Sequence, residues 1–159
     1  FDGQLLASTT TLGASDSYNR GSLNFIGAKS FGEHTFQFAL AGGGAIGGNP
    51  LPFYDYFSYG GFMRMTGYRE GQLRNDAMTY GRLSYMNQLF KMPLLEGVYA
   101  GASLEAARLG DPLIPNGIQG NVASGSLFFA LDTPLGPAYL AYGRTWDGNS
   151  NFYFFLGKR

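Results

Sequence analysis

Residues 97–108 read GVYAGASLEAAR. Val98, Ala100, Ala102, Leu104 and Ala106 fall at every second position, and Tyr99, Gly101, Ser103, Glu105 and Ala107 fill the places between. In an extended chain successive side chains point to opposite faces. The stretch therefore predicts a strand with one apolar face and one small or polar face. The same period of two runs through EHTFQFALAG (33–42), where Phe36, Phe38 and Leu40 oppose Thr35, Gln37, Ala39 and Ala41. It recurs in NVASGSLFFALD (121–132), where Leu127, Phe129 and Leu131 oppose Ser126, Phe128, Ala130 and Asp132. In NFYFFLGKR (151–159), Phe152, Phe154 and Leu156 oppose Tyr153, Phe155 and Gly157.

Working outward, eight such segments are predicted: 2–11, 21–31, 34–46, 78–90, 96–108, 121–132, 137–147 and 150–159. Most exceed the five or six residues usual for a soluble strand. They match the roughly 9–11 residues that a tilted strand needs to cross a bilayer. The connections alternate in length. Residues 31–34, 91–95 and 133–136 are tight turns, and 12–20, 47–77 and 109–120 are long loops; 147–150 alone breaks the alternation. Short turns on one side and long loops on the other are the layout of an outer-membrane barrel. Phe31, Tyr80, Phe90, Tyr99 and Trp146 lie near strand ends and are candidates for the aromatic girdles. The fold class read from this pattern is all-β: an antiparallel transmembrane β-barrel of eight strands per chain with one long inserted loop, a single domain over 1–159. A soluble β-sandwich or lipocalin-like barrel also alternates, but its strands are shorter and its exposed face carries Lys, Glu and Thr.

Composition agrees. Charged residues make up 14% of the chain and aromatics 16%, and the net charge is zero. So little charge is unusual for a soluble surface, and a neutral chain lacks the footprint of a nucleic-acid binder. Cysteine is absent, which excludes disulfides and thiol chemistry. No run of eighteen apolar residues is available for a transmembrane helix. Phe1-Asp2-Gly3-Gln4 has neither a basic start nor an apolar core, so no signal peptide is expected, only a mature form if the protein is exported.

The long loop has its own content. Residues 50–76 read PLPFYDYFSYGGFMRMTGYREGQLRND. So many large apolar groups are costly to leave in water, and they call for a packing partner. Phe57, Gly60-Gly61 and then Thr66-Gly67-Tyr68 come in an order that resembles the lumen-inserted loop of the Omp85 superfamily of outer-membrane barrels. In that family a phenylalanine, a glycine pair and an Arg-Gly-Tyr or Arg-Gly-Phe triplet follow one another. YAGASLEAARL resembles the family's following strand, whose inward carboxylate, here Glu105, meets the loop. FYFFLGKR resembles the last strand, the segment recognised by the barrel-assembly machinery. Thr66 stands where the family's arginine usually stands, a version closest to the barrel of patatin-like phospholipase autotransporters. Glu105 is then expected to meet a basic or multi-donor partner, with Arg64, Arg69 and Arg82 the candidates.

Catalytic constellations are poor. GASDS and GASLE lack the second glycine of a nucleophile elbow. The single His34 cannot build a multi-histidine zinc site. Glu105 and Asp132, on neighbouring predicted strands, are the one candidate acid–base pair of carboxylates, against a polar lumen network as the alternative. GGGAIGG (42–48) has no Lys-Ser/Thr after it and opens no helix, so it is a poor phosphate loop. The resemblance implies a non-enzymatic protein of the bacterial outer membrane, with no cofactor or metal, and a role in passage or assembly. A small structural or adhesion barrel is the alternative. A closed barrel of about eight strands is filled by its own side chains, so a 31-residue loop at 47–77 does not fit inside one. Two chains joined edge to edge would make room, which predicts a homodimer through the terminal strands.

Overall fold

The computed structural model describes residues 2–8, 18–47, 49–92, 95–133 and 135–157. Predicted strand residues 9–11, most of the first loop, the centre of the 91–95 turn, and Lys158-Arg159 lie outside them. Among the described residues ten strands form: β1 (Asp2–Ser8), β2 (Tyr18–Phe31), β3 (His34–Ile46), β4 (Phe57–Tyr59), β5 (Leu73–Asn75), β6 (Met78–Met92), β7 (Leu95–Leu109), β8 (Gly120–Thr133), β9 (Gly136–Thr145) and β10 (Ser150–Leu156). Eight of them make one antiparallel sheet in the order β1-β2-β3-β6-β7-β8-β9-β10. Each of the eight pairs with the next of the eight along the chain, so the sheet is a meander, with β4 and β5 lying in the connection from β3 to β6. β4 and β5 form a separate hairpin within the long loop, which the alternation did not predict.

Expected and observed ends differ by a few residues. β9 stops at Thr145 rather than 147, because Thr145 N–H and Oγ1 turn to the carbonyl of Asn149 and start the short return to β10. The turn between β2 and β3 is Gly32-Glu33, with Gly32 at φ 60°, the positive φ that primed hairpin turns require.

The two faces of the sheet differ sharply. Outward lie Phe25, Phe38, Leu40, Leu83, Leu104, Leu127, Phe129, Leu140, Phe152 and Phe154, all exposed, Leu127 by 67%. Among outward strand positions whose side chains are described, charge is confined to Lys29, Arg108 and Arg144, near the strand ends; Glu96, at the start of β7, has the same parity. A continuous apolar face of this size marks an interaction or lipid surface. Inward, the row Ser84–Ser103–Ser126–Gly143 runs across four paired strands, and the long loop packs over it. Of the five expected girdle aromatics, Phe31, Phe90 and Trp146 are exposed. Tyr80 and Tyr99 are corrections: both sit in register with inward residues, and Tyr80 is buried with its hydroxyl on Glu105. Parity, not nearness to a strand end, decides which way they point.

The sheet does not close. Among the described residues β1 pairs only with β2 and β10 only with β9. The chain is thus an eight-stranded open sheet, not a self-closed eight-stranded barrel. Without closure the limit on interior volume falls away, and the loop finds space on the inner face.

Candidate functional site

The site is the seat of the loop. The β4–β5 hairpin forms its neck, and residues 60–72 form its tip. Gly60, Gly61, Gly67 and Gly71 all have positive φ, and so do Met63 (62°) and Met65 (68°). For a side-chain-bearing residue the left-handed region costs roughly 1–2 kcal/mol, so something must hold both methionines there. Met63 N–H donates to Thr66 Oγ1 at 3.0 Å, and Met63 O accepts from Tyr80 Oη at 2.9 Å and Arg82 Nη1 at 2.6 Å. Met65 N–H donates to Glu105.

Glu105 is the centre of the knot. It is 3% exposed. One oxygen accepts from Met65 N–H, from Thr66 N–H at 3.2 Å and from Tyr80 Oη at 3.0 Å, whose single proton is shared between this oxygen and Met63 O. The other accepts from Thr66 Oγ1 and from Ser103 Oγ at 3.0 Å. A buried carboxylate costs several kcal/mol unless its lone pairs are met, and bonds to a charged acceptor are each worth about 1.5–3 kcal/mol. Here neutral donors meet it in full.

The three candidate arginines do other work. Arg82 lies opposite Glu105 in the register but donates to Met63 O and, at 2.6 Å, to Gln37 Oε1. Arg64 lies over the Tyr59 ring and donates to Ser58 O. Arg69 is exposed, its N–H on Gln72 Oε1. The multi-donor alternative is the one observed, and Thr66 supplies it from the position where the resembled family carries arginine.

Close approach fixes the rest. A Cβ on Gly143 would fall 2.2 Å from Thr66 Cγ2, and one on Gly67 2.7 Å from Thr145 Cγ2. Gly67 N–H donates to Tyr153 Oη, which in turn donates to Tyr68 O at 2.7 Å; Asn151 Nδ2 donates to Gly67 O. Gly60 and Gly61 N–H donate to Arg64 O and Tyr68 O, which folds the tip back on itself. Phe57 lies under Arg20, with its ring centroid 4.0 Å from the guanidinium carbon. Tyr68 is buried and its hydroxyl donates to Asp147 Oδ2 at 3.0 Å. Burial, helped by that bond, pushes the Tyr68 hydroxyl above its usual range. Hydrogen bonding from Thr145, and then from Tyr68, holds Asp147 below the usual carboxylate value.

Sequence reasoning missed the roles of Tyr80, Ser103, Asn151 and Tyr153, and took Phe62 only as one of the loop's apolar groups in need of a packing partner. Phe62 is buried among Phe128, Tyr139, Tyr153 and Phe155, with ring centroids 5.5–6.1 Å away. The signal was available only as the inward parity of Tyr153 and Phe155, and it needed the register to become a site. The pairing of Glu105 with Asp132 is overturned. Asp132 pairs with Gly97, eight residues along β7 from Glu105, which is roughly 26 Å. His34 is exposed, with Nδ1 2.7 Å from Tyr85 Oη. Residues 42–46 of the glycine-rich stretch are in β3. Among the described residues no cluster of three or more His, Cys, Asp or Glu is placed to hold a metal.

No family model matches the chain, and no curated protein matches it significantly.

Proposed function

We propose that the chain is part of an outer-membrane β-barrel of Omp85 type, without catalytic activity, that serves the passage of proteins or small molecules or the assembly of the membrane. The observation that carries this reading is the inversion of the sheet: large apolar side chains face out and a satisfied polar knot faces in. A soluble sheet of this length would hide the former and wet the latter. The motif order around Phe57, Gly60, Gly61, Thr66, Gly67 and Tyr68 supports the Omp85 type. In this reading the carboxy-terminal strand is what the barrel-assembly machinery of the bacterial outer membrane engages, and lipid covers the outer face. Open edges in lipid leave backbone groups unsatisfied at several kcal/mol each, so further antiparallel strands close the barrel at β1 and β10. A second copy, joined in a symmetric pair, is the simplest supplier.

Refolding into detergent tests the membrane reading: the band on a gel should shift between boiled and unboiled samples. A sample that stays soluble and monodisperse without detergent would sink it. Cysteines at positions 6 and 154 should cross-link between chains; cross-linking within one chain would show self-closure. The packing of Met65, Tyr68 and Leu73 favours a shut resting state, which also suits a structural barrel without a channel. Conductance separates the two. Passage predicts a quiet wild type that Glu105→Ala opens, whereas silence in both favours the structural barrel.

A further inference from the structure

A second group of polar residues on the inner face lies apart from the Glu105 knot, beside β2. A cavity of about 210 Å³ is lined by Arg20, Ser22, Asn24, Phe57, Ser58 and Arg64 among others, and among the described residues its lining includes no carboxylate. Phe57 and Tyr59, two apart in β4, share one face of that strand. Each ring carries a guanidinium, Arg20 at 4.0 Å from Phe57 and Arg64 at 4.7 Å from Tyr59. Stacking uses the face of a guanidinium and leaves its in-plane N–H groups directed outward. Arg64 spends one of them on Ser58 O at 3.2 Å. The Nε of Arg20 is buried and has no hydrogen-bond partner. A buried donor of that kind normally costs about 1–3 kcal/mol, so it asks for an acceptor.

Among the described side chains, the carboxylates of the neighbouring elements have partners of their own. Asp55 accepts the Tyr18 hydroxyl, Asp76 accepts Asp111 N–H, and Glu105 holds the loop tip. On β1, Asp2 is the register partner of Asn24, at one end of the lining, and Leu6 is that of Arg20, a separation along the strand of roughly 13 Å. Two positive charges, side-chain donors on Ser22 and Asn24, and a small cavity match one small doubly charged oxyanion.

We propose that this cavity binds a tetrahedral oxyanion of the phosphate or sulfate class between Arg20 and Arg64. The site is independent of the membrane reading, since it rests on the packing of β2, β4 and the start of the loop tip that carries Arg64. The test is calorimetric titration of the folded chain with inorganic phosphate at constant ionic strength, in buffer free of other oxyanions. One saturable site per chain is expected, and none for chloride. Arg20→Gln and Arg64→Gln should each weaken it about tenfold or more. Asn24→Asp, which puts a negative charge into the cavity, should abolish it. Circular dichroism checks that strand content is kept. Absence of saturable phosphate binding to the wild-type chain overturns the proposal, and so does an affinity that Asn24→Asp or the two arginine variants leave unchanged.

Discussion

The inner face has two regions that behave differently. Over β6–β10 it is covered: Ser84, Ser103, Ser126 and Gly143 are small, the loop tip fits over them, and Ala141 behind it is 2% exposed. Over the turn-side half of β2 it is bare: Ile26 is 61% exposed and Ala28 and Ser30 are exposed too, although Ala39, the β3 partner of Ile26, is buried. Both regions carry the same alternation. They differ in whether polar donors and small residues are arranged to receive a partner. Alternation makes a sheet; the pattern of sizes and donors on its inner face decides where something docks.

The sharpest way to break the comparison is to remove the centre of the covered half. Glu105→Ala removes an acceptor from five donors at once. Tyr80 Oη and Ser103 Oγ keep Met63 O and Ser126 Oγ within reach, but Met65 N–H, Thr66 N–H and Thr66 Oγ1 are left without an acceptor, at about 1–3 kcal/mol each. Protease cleavage within 61–74 should rise by two orders of magnitude or more, and unchanged cleavage would show that the loop is held by apolar packing alone. Gly143→Ala comes next. Its Cβ collides with Thr66, an overpacking worth about 1–3 kcal/mol. Gly125→Ala on the outward face meets nothing closer than 3.4 Å and serves as the silent control. Equal melting shifts for the two would mean that the loop does not sit in the row of small residues.

On the bare half, Ile26→Ser should change stability by less than about 0.5 kcal/mol in the chain alone. If strands from a second copy cover that region, the same substitution should destabilise the assembly by a measurable margin. An identical null effect in both would leave the bare half uncovered. The smallest effect is on pH. Asp147 has a lowered pKa, so its contribution to holding Tyr68 is present above the usual carboxylate value of 3.8 and is lost as pH falls through the lowered one. Loop protection should therefore decline only below about pH 4, where the carboxylate takes up its proton. Asp147→Asn should flatten that decline, and a decline that persists in the variant would assign it to another group.

Much of this was legible in the sequence. Period two located all eight strands of the main sheet, because a half-buried strand cannot hide its alternation. Glu105 stood out as a lone carboxylate among small residues on an inward face. Its partners were legible only in part: Thr66 stood out by position and gives its hydroxyl, but Met65 N–H and Thr66 N–H are backbone donors that no residue type advertises. Tyr153 and Asn151 stayed hidden for a different reason. Their role depends on which residues of β10 lie over Gly67, 84 and 86 positions away in sequence, and that is a property of the assembled sheet.

β10 gives the loop its last anchors, and β10 is also the last strand of the sheet. Loop closure across more than eighty residues must be met before Gly67 can reach Tyr153, and long-range contacts of this kind slow folding. We expect the loop to settle late, after the meander has paired through to β10. Met63 and Met65 take up their strained backbone only then, so a chain interrupted before β10 should build most of its sheet and leave the loop untied. Pulsed hydrogen exchange would test the order: amides of β6–β8 should gain protection ahead of Met65 and Gly67, and simultaneous protection would refute a late-seating loop.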